Sequence, residues 1–158
     1  MITDRDRKYL ERCVELAKEA VANGDQPFGS VLVSGTGEVL AEERNLVGSG
    51  DHTRHPEFAL ARWAAANMTP EERDLATVYT SGEHCPMCAA AHGWVGLGRI
   101  VYVSSSRQLV QWLTELKIPA GRVRNLPIEE VIRDAQVDGP VPDLAEKVRE
   151  LHHQYYSG

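Results

Sequence analysis

Residues 75–103 read LATVYTSGEHCPMCAAAHGWVGLGRIVYV, and this stretch decides the fold class. Leu75 to Thr80 is a short apolar run that predicts a buried strand. Pro86 to Val95 carries Met87, Ala89, Ala90, Ala91 and Gly93, small residues that suit a closely packed helix. Ile100 to Val103 predicts the next strand. Upstream, Phe58 to Ala66 is apolar almost all round except for Arg62, as expected of a helix buried on most sides. Phe28 to Ser34 and Glu38 to Arg44 are predicted to pair as a hairpin about Gly35-Thr36-Gly37, and Asn45 to Arg54 reads as a polar loop. At the start of the chain, Thr3 caps a helix whose first turn holds Asp6. Its apolar stripe is Leu10, Cys13, Val14, Ala17, Ala20 and Val21, and Gly24 ends it. Downstream, Gln108 to Lys117 predicts a helix, Gly121 to Leu126 a final short strand, and Leu144 to Gln154 a C-terminal helix. The order is helix, hairpin, then alternating helix and strand, which gives an α/β sandwich with helices on both faces of a mixed sheet.

The chain has 158 residues, which predicts one domain over residues 1–158. Apolar residues make up 42% and charged residues 25%, as in ordinary globular proteins. No apolar run reaches the roughly 18 residues that a transmembrane helix needs. Met1 to Lys8 is charged and lacks the apolar core of a secretory signal, so a cytoplasmic location is the expectation. A net charge of −6 disfavours binding to a nucleic-acid backbone, which calls for clustered Lys and Arg. Cysteines number three, and Cys85 and Cys88 lie three positions apart, a spacing that suits metal binding or redox chemistry.

His55-Pro56-Glu57 opens one small-residue helix and Cys85-Pro86-Met87-Cys88 opens the other. Each proline suits a first helical turn, where its missing N–H costs little. Cys85 and Cys88, one turn apart, can aim both sulfurs at one point near the positive end of a helix dipole. Two thiolates and an imidazole select zinc, and three protein ligands leave a fourth position for water, as in catalytic rather than structural sites. Two thiolates formally cancel the metal's charge, so its water is acidified less than in an all-histidine site. Glu57 beside it would serve as the base. Residues two apart do not share a face of a regular helix, so this pairing requires His55 to sit at the cap. The other readings are a structural zinc site, buried core thiols, or a thioredoxin-like pair. The last leaves His55 and Glu57 unexplained.

These motifs resemble the cytidine-deaminase superfamily, in the branch of guanine, cytosine and tRNA adenosine deaminases, whose signature is H-x-E followed by P-C-x-x-C. Pro27-Phe28-Gly29 is similar to the family's P-F-G. Residues 51–57, DHTRHPE, resemble D-P-T-A-H-A-E, and residues 80–88, TSGEHCPMC, resemble T-S-x-E-P-C-P-M-C. The likeness runs from about residue 5 to about residue 105. It implies a three-layer α/β/α sandwich with a mixed five-stranded sheet, one Zn2+ per subunit on His55, Cys85 and Cys88, Glu57 as proton carrier, and a homodimer. It also implies that Asn45 hydrogen-bonds the substrate ring, that Phe28 stacks on it, and that Tyr156, beside Tyr155, closes the partner's site. Three departures stand out. His84 replaces a proline and becomes a pocket wall or hydrogen-bonding neighbour of the metal. Pro56 replaces an alanine and deletes an N–H. The segment after Ser104 lacks clear substrate-choosing residues.

The expected activity is hydrolytic removal of an exocyclic amino group from a small heterocyclic amine by zinc-activated water, with a free base such as guanine, cytosine or an aza or triazine analogue first. Nucleoside deamination, tRNA adenosine-to-inosine editing and a non-catalytic zinc module are the alternatives, and no membrane association is expected. Glu83 is expected to stabilise the start of its helix, and Cys13, Trp63, Trp94 and Trp112 to lie in the core. His52, His92, His152 and His153 carry no assigned role.

Overall fold

The computed structural model describes residues 1–158. Helix α1 (Asp4–Ala22) starts on a reciprocal cap: the Thr3 hydroxyl accepts from the Asp6 amide while Asp6 accepts from the Thr3 amide. Strands β1 (Gly29–Val33) and β2 (Val39–Arg44) form the hairpin, and α2 (Pro56–Asn67) follows the polar loop. A short helix α3 (Pro70–Leu75) then precedes β3 (Thr77–Gly82), α4 (Pro86–Val95), β4 (Arg99–Ser104), α5 (Ser106–Glu115), β5 (Val137–Asp138) and α6 (Pro142–Ser157). The sheet order is β2-β1-β3-β4-β5. β1 runs antiparallel to β2 and β3, whereas β3, β4 and β5 are parallel. The mixed five-stranded sheet is as expected.

Period-two alternation builds two cores. Val31, Val33, Tyr79, Val101 and Val103 face α1, α5 and α6, where Leu10, Cys13, Leu16, Trp112, Leu144 and Val148 meet them. Leu32 and Val78 point the other way, onto Leu60, Ala61 and Ala64 of α2. A third cluster joins Ala89 of α4 to Ile100, Tyr102 and Ile128. Gly29 is required by the closeness of α1: a Cβ there would lie 2.4 Å from the Leu16 Cβ. No helix is long and apolar enough to cross a membrane.

Three expectations need correction. Residues 121–126 form no strand and are exposed throughout; the fifth strand is Val137–Asp138, paired with Ile100 and Val101. Nothing covers the 121–126 segment, so its Val and Leu have no sheet to join. Leu75 ends α3 and is exposed instead of opening β3. That helix has a cap at Thr69 but buries no residue, so it shows no apolar face to read. Trp94 is 89% exposed, on the last turn of α4 before the left-handed Gly96, while Trp112 is buried and Trp63 half-buried.

Candidate active site

Two helix starts meet beside the sheet. His55 is the cap of α2, with extended backbone (φ −87°, ψ 144°), and Pro56 is the first helical residue. Cys85 is the cap of α4 (φ −69°, ψ 167°), with Pro86 first and Cys88 third in the helix. The geometric demand on His55 is met: it stands outside the regular helix, so its ring and the Glu57 side chain are free of the helical phase that would part them.

Cys85 Sγ lies 3.4 Å from His55 Nδ1 and 3.5 Å from Cys88 Sγ, and Cys88 Sγ lies 3.6 Å from the same nitrogen. Tetrahedral zinc with bonds of about 2.3 Å to sulfur and about 2.0–2.1 Å to nitrogen requires donor separations of roughly 3.6–3.8 Å. The three donors therefore already stand nearly at the spacing the ion demands, and among His, Cys, Asp and Glu they are the one group so clustered. Without the ion, contact with Cys85 raises the His55 pKa against the opposing effect of burial. The contact between the two sulfurs pushes the Cys85 thiol down and the Cys88 thiol up. Metal binding demands both sulfurs as thiolates and the imidazole neutral.

Glu57 is 5% exposed. Its Oε1 accepts from the hydroxyls of Ser30 (3.1 Å) and Thr80 (2.9 Å), which sit opposite each other in the β1–β3 register. Burial raises its pKa, with His55 opposing. Sequence reading assigned no role to Ser30 and Thr80, which meet only through the β1–β3 pairing.

A cavity of about 150 Å³ opens at this point, lined by Gln26, Phe28, His55, Glu57, Glu83, His84, Cys85, Ser106, Leu109, Asn125 and Leu126. Gly82 seats the Phe28 ring, because a Cβ there would lie 2.9 Å from it. Behind Phe28, the buried His152 ring of α6 packs edge-on at 5.3 Å. His84 is buried, and burial pushes its pKa well below the usual value, with His92 acting in the same direction. A more polar depression of about 340 Å³ lies on the other side of His55, among Arg44, Arg54, Arg62, Glu43 and Asp51. The smaller cavity holds both Glu57 and Cys85 and is the one suited to chemistry.

Of the sequence-predicted residues, Phe28, His55, Glu57, His84 and Cys85 meet in the cavity, with Cys88 buried behind them. Asn45 is not on its wall: its Oδ1 accepts from the Val47 amide and its buried Nδ2 has no partner. Tyr156 sits half-buried near the end of α6 against Tyr155, also away from the wall. Glu83 does not serve its own helix. Its two oxygens accept from the amides of Ser106 and Ile128, both at 2.8 Å, tying the start of α5 and the turn at 128 to the end of β3.

Residues 3–104 match the family described as the cytidine and deoxycytidylate deaminase zinc-binding region. The chain is 32% identical over 112 residues to a probable cytosine deaminase of Schizosaccharomyces pombe, a match covering 70% of this chain and 67% of that protein. It is 37% identical over 98 residues to guanine deaminase of Bacillus subtilis, covering 61% of this chain and 62% of that one. The matches thus span about two thirds of these curated relatives. In structure, guanine deaminase from Nitrosomonas europaea superposes with a TM-score of 0.70 at 18% identity, over 100% of this chain and 87% of that one. That likeness concerns the fold.

Proposed function

Because the chain belongs to the cytidine and deoxycytidylate deaminase zinc-binding family, we propose that residues 1–158 act as one hydrolytic unit that removes an exocyclic amino group from a free nucleobase or base analogue, releasing ammonia. The observation that carries this reading is a carboxylate, two sulfurs and an imidazole converging on a cavity sized for a single ring system.

His55, Cys85 and Cys88 would hold zinc, which when bound lowers the pKa of water and supplies a nucleophile at neutral pH. Glu57 takes a proton from water and passes it to a ring nitrogen as the oxygen bonds to the amino-bearing carbon; it then takes the second proton, from that new hydroxyl, and gives it to the amine as the C–N bond breaks. The Ser30 and Thr80 hydroxyls fix one carboxylate oxygen and leave the other for this transfer. Phe28 stacks on the ring, and Asn45 is proposed as a further donor through its unpartnered Nδ2, which requires its side chain to turn toward the cavity.

At about 150 Å³ the cavity is well below the roughly 300 Å³ at which pockets for drug-sized ligands begin, so a base without its sugar fits best. No lysine or arginine lines it, while Glu57 and Glu83 do, so a phosphate has no cation to meet. With the net charge of −6, this disfavours the tRNA-editing alternative. A homodimer is proposed, with the small-residue helices near the interface, the exposed Trp94 beside them, and Tyr156 closing the partner's cavity. A cytoplasmic location goes with this reading.

Ammonia release by zinc-loaded protein from guanine, cytosine, adenine, their nucleosides, ammeline and 5-azacytosine tests the proposal. Turnover of at least one free base, faster than of its nucleoside, is expected. Faster turnover of nucleosides, or silence on the whole panel, would overturn it.

A further inference from the structure

Seven buried side-chain N or O atoms lack a hydrogen-bond partner, and three of them belong to residues that line the cavity: both ring nitrogens of His84 and the hydroxyl of Ser106. His84 is 1% exposed and Ser106 is 7% exposed. A buried polar group without a partner is costly, so such groups are rare and call for an explanation. The His84 ring packs edge-on against His92 at 5.4 Å, a contact that satisfies neither of its nitrogens, and for Ser106 the ordinary explanation fails. A serine at a helix start usually caps, but Ser105 caps α5, its hydroxyl accepting from the Gln108 amide. Ser106 is left with its amide bound to Glu83 and its hydroxyl unengaged. Glu83 precedes His84 in the chain, so one carboxylate fixes the position of both residues.

Resting on the deaminase reading above, we propose that His84 and Ser106 are the specificity contacts of the cavity. They hydrogen-bond the ring heteroatoms of an uncharged amino-heterocycle that Glu57 does not serve. A neutral imidazole offers one donor and one acceptor, and a hydroxyl offers both, so the pair matches an edge carrying an N–H or ring nitrogen beside a carbonyl. Phe28, Leu109 and Leu126 supply the apolar surfaces around that edge. The substrate satisfies the wall only when bound, and a ring lacking those heteroatoms leaves the wall unpaired and is rejected.

The test uses zinc-loaded full-length protein and the base that the ammonia-release panel finds best. S106A is expected to raise KM roughly 3- to 10-fold, the effect of one lost uncharged hydrogen bond, with kcat within twofold. Its Tm should hold or rise, because the variant removes a buried hydroxyl that has no partner in the free protein. H84L should raise KM more, having lost two hydrogen-bonding atoms, and H84Q should recover part of the loss. Both variants should also narrow the preference among the bases of the panel. If H84L does not fold, S106A decides alone. KM and preference unmoved in S106A, or a fall in Tm and kcat with KM unchanged, would overturn the inference while leaving the activity intact. Silence of the wild type on every base overturns the functional reading, and this inference with it.

Discussion

Asp6 and Glu57 are equally hidden, 4% and 5% exposed, yet their surroundings push them in opposite directions. Burial raises the pKa of Asp6 too, but it is outweighed by hydrogen bonds from the Arg99 guanidinium, the Thr3 amide and Tyr79, which hold the carboxyl well below its usual range. Glu57 receives hydroxyls and no guanidinium, and its pKa rises. Burial alone therefore does not tell a structural acid from a working one; the partners do. Asp6 joins α1 to β3 and β4 with every oxygen engaged. Glu57 keeps one oxygen outside the hydroxyl pair and faces a cavity.

Exchanging each acid for its amide should expose the contrast most sharply. E57Q is expected to cut ammonia release at least ~100-fold, the usual weight of a proton-transferring side chain. Its zinc content, read by elemental analysis, and its Tm should stay at wild-type values. Normal turnover by E57Q would remove Glu57 as proton carrier. D6N should do the reverse, leaving kcat within about twofold while destabilising by roughly 2–3 kcal/mol, read by urea unfolding, because Arg99 loses a charged partner. An unchanged unfolding midpoint would mean that Asp138, the other acid on Arg99, suffices.

T80V removes one of the hydroxyls on Glu57 and should lower kcat about tenfold, with little change in KM, since a loosely held base costs turnover before binding. A change confined to KM would place Thr80 in substrate binding instead. The smallest effect concerns pH. The folded pKa of Asp6 lies below its unfolded value, so its stabilisation is complete above about 4 and is lost as pH falls through the folded value. His152, buried behind Phe28, is pushed down to about 4, chiefly by burial. Its folded state binds fewer protons than the unfolded chain, so stability falls as pH drops from about 6.5 toward 4. Replacing His152 with Phe should shrink that upper window in a Tm-versus-pH series, the buried His84 and His92 keeping the rest of it, and leave the Asp6 window below it. Two unchanged windows would exclude His152 as the source.

The elements flanking the metal ligands were legible because each is a continuous apolar or small-residue run with a marked boundary. Val31, Leu32 and Val33 of β1 are buried on both faces of the sheet, and the prolines at 56 and 86 mark where two helices begin. Most boundaries moved by one or two residues, as with α2, which starts at Pro56 instead of Phe58. Beyond residue 104 the pattern thins. β5 has two residues, too few to alternate, and its place depends on Ile100 and Val101. Leu109, Asn125 and Leu126 reach the cavity from a helix and a loop brought in by tertiary contacts that no local pattern announces. Zinc ligands were readable from spacing because two are neighbours on one helix. The hydroxyls on Glu57 and the tethering role of Glu83 were not, since each links segments far apart in the chain.

The two ties made by Glu83 divide responsibility along the polypeptide. His55, Glu57, Cys85 and Cys88 all fall within residues 3–104, the part that matches the family. Four of the cavity's lining residues fall after it. Glu83 ties Ser106 and Ile128 of the C-terminal third to the end of β3, beside the ligands. Part of the cavity wall and the four candidate site residues therefore sit on separate stretches of chain, coupled through a single carboxylate.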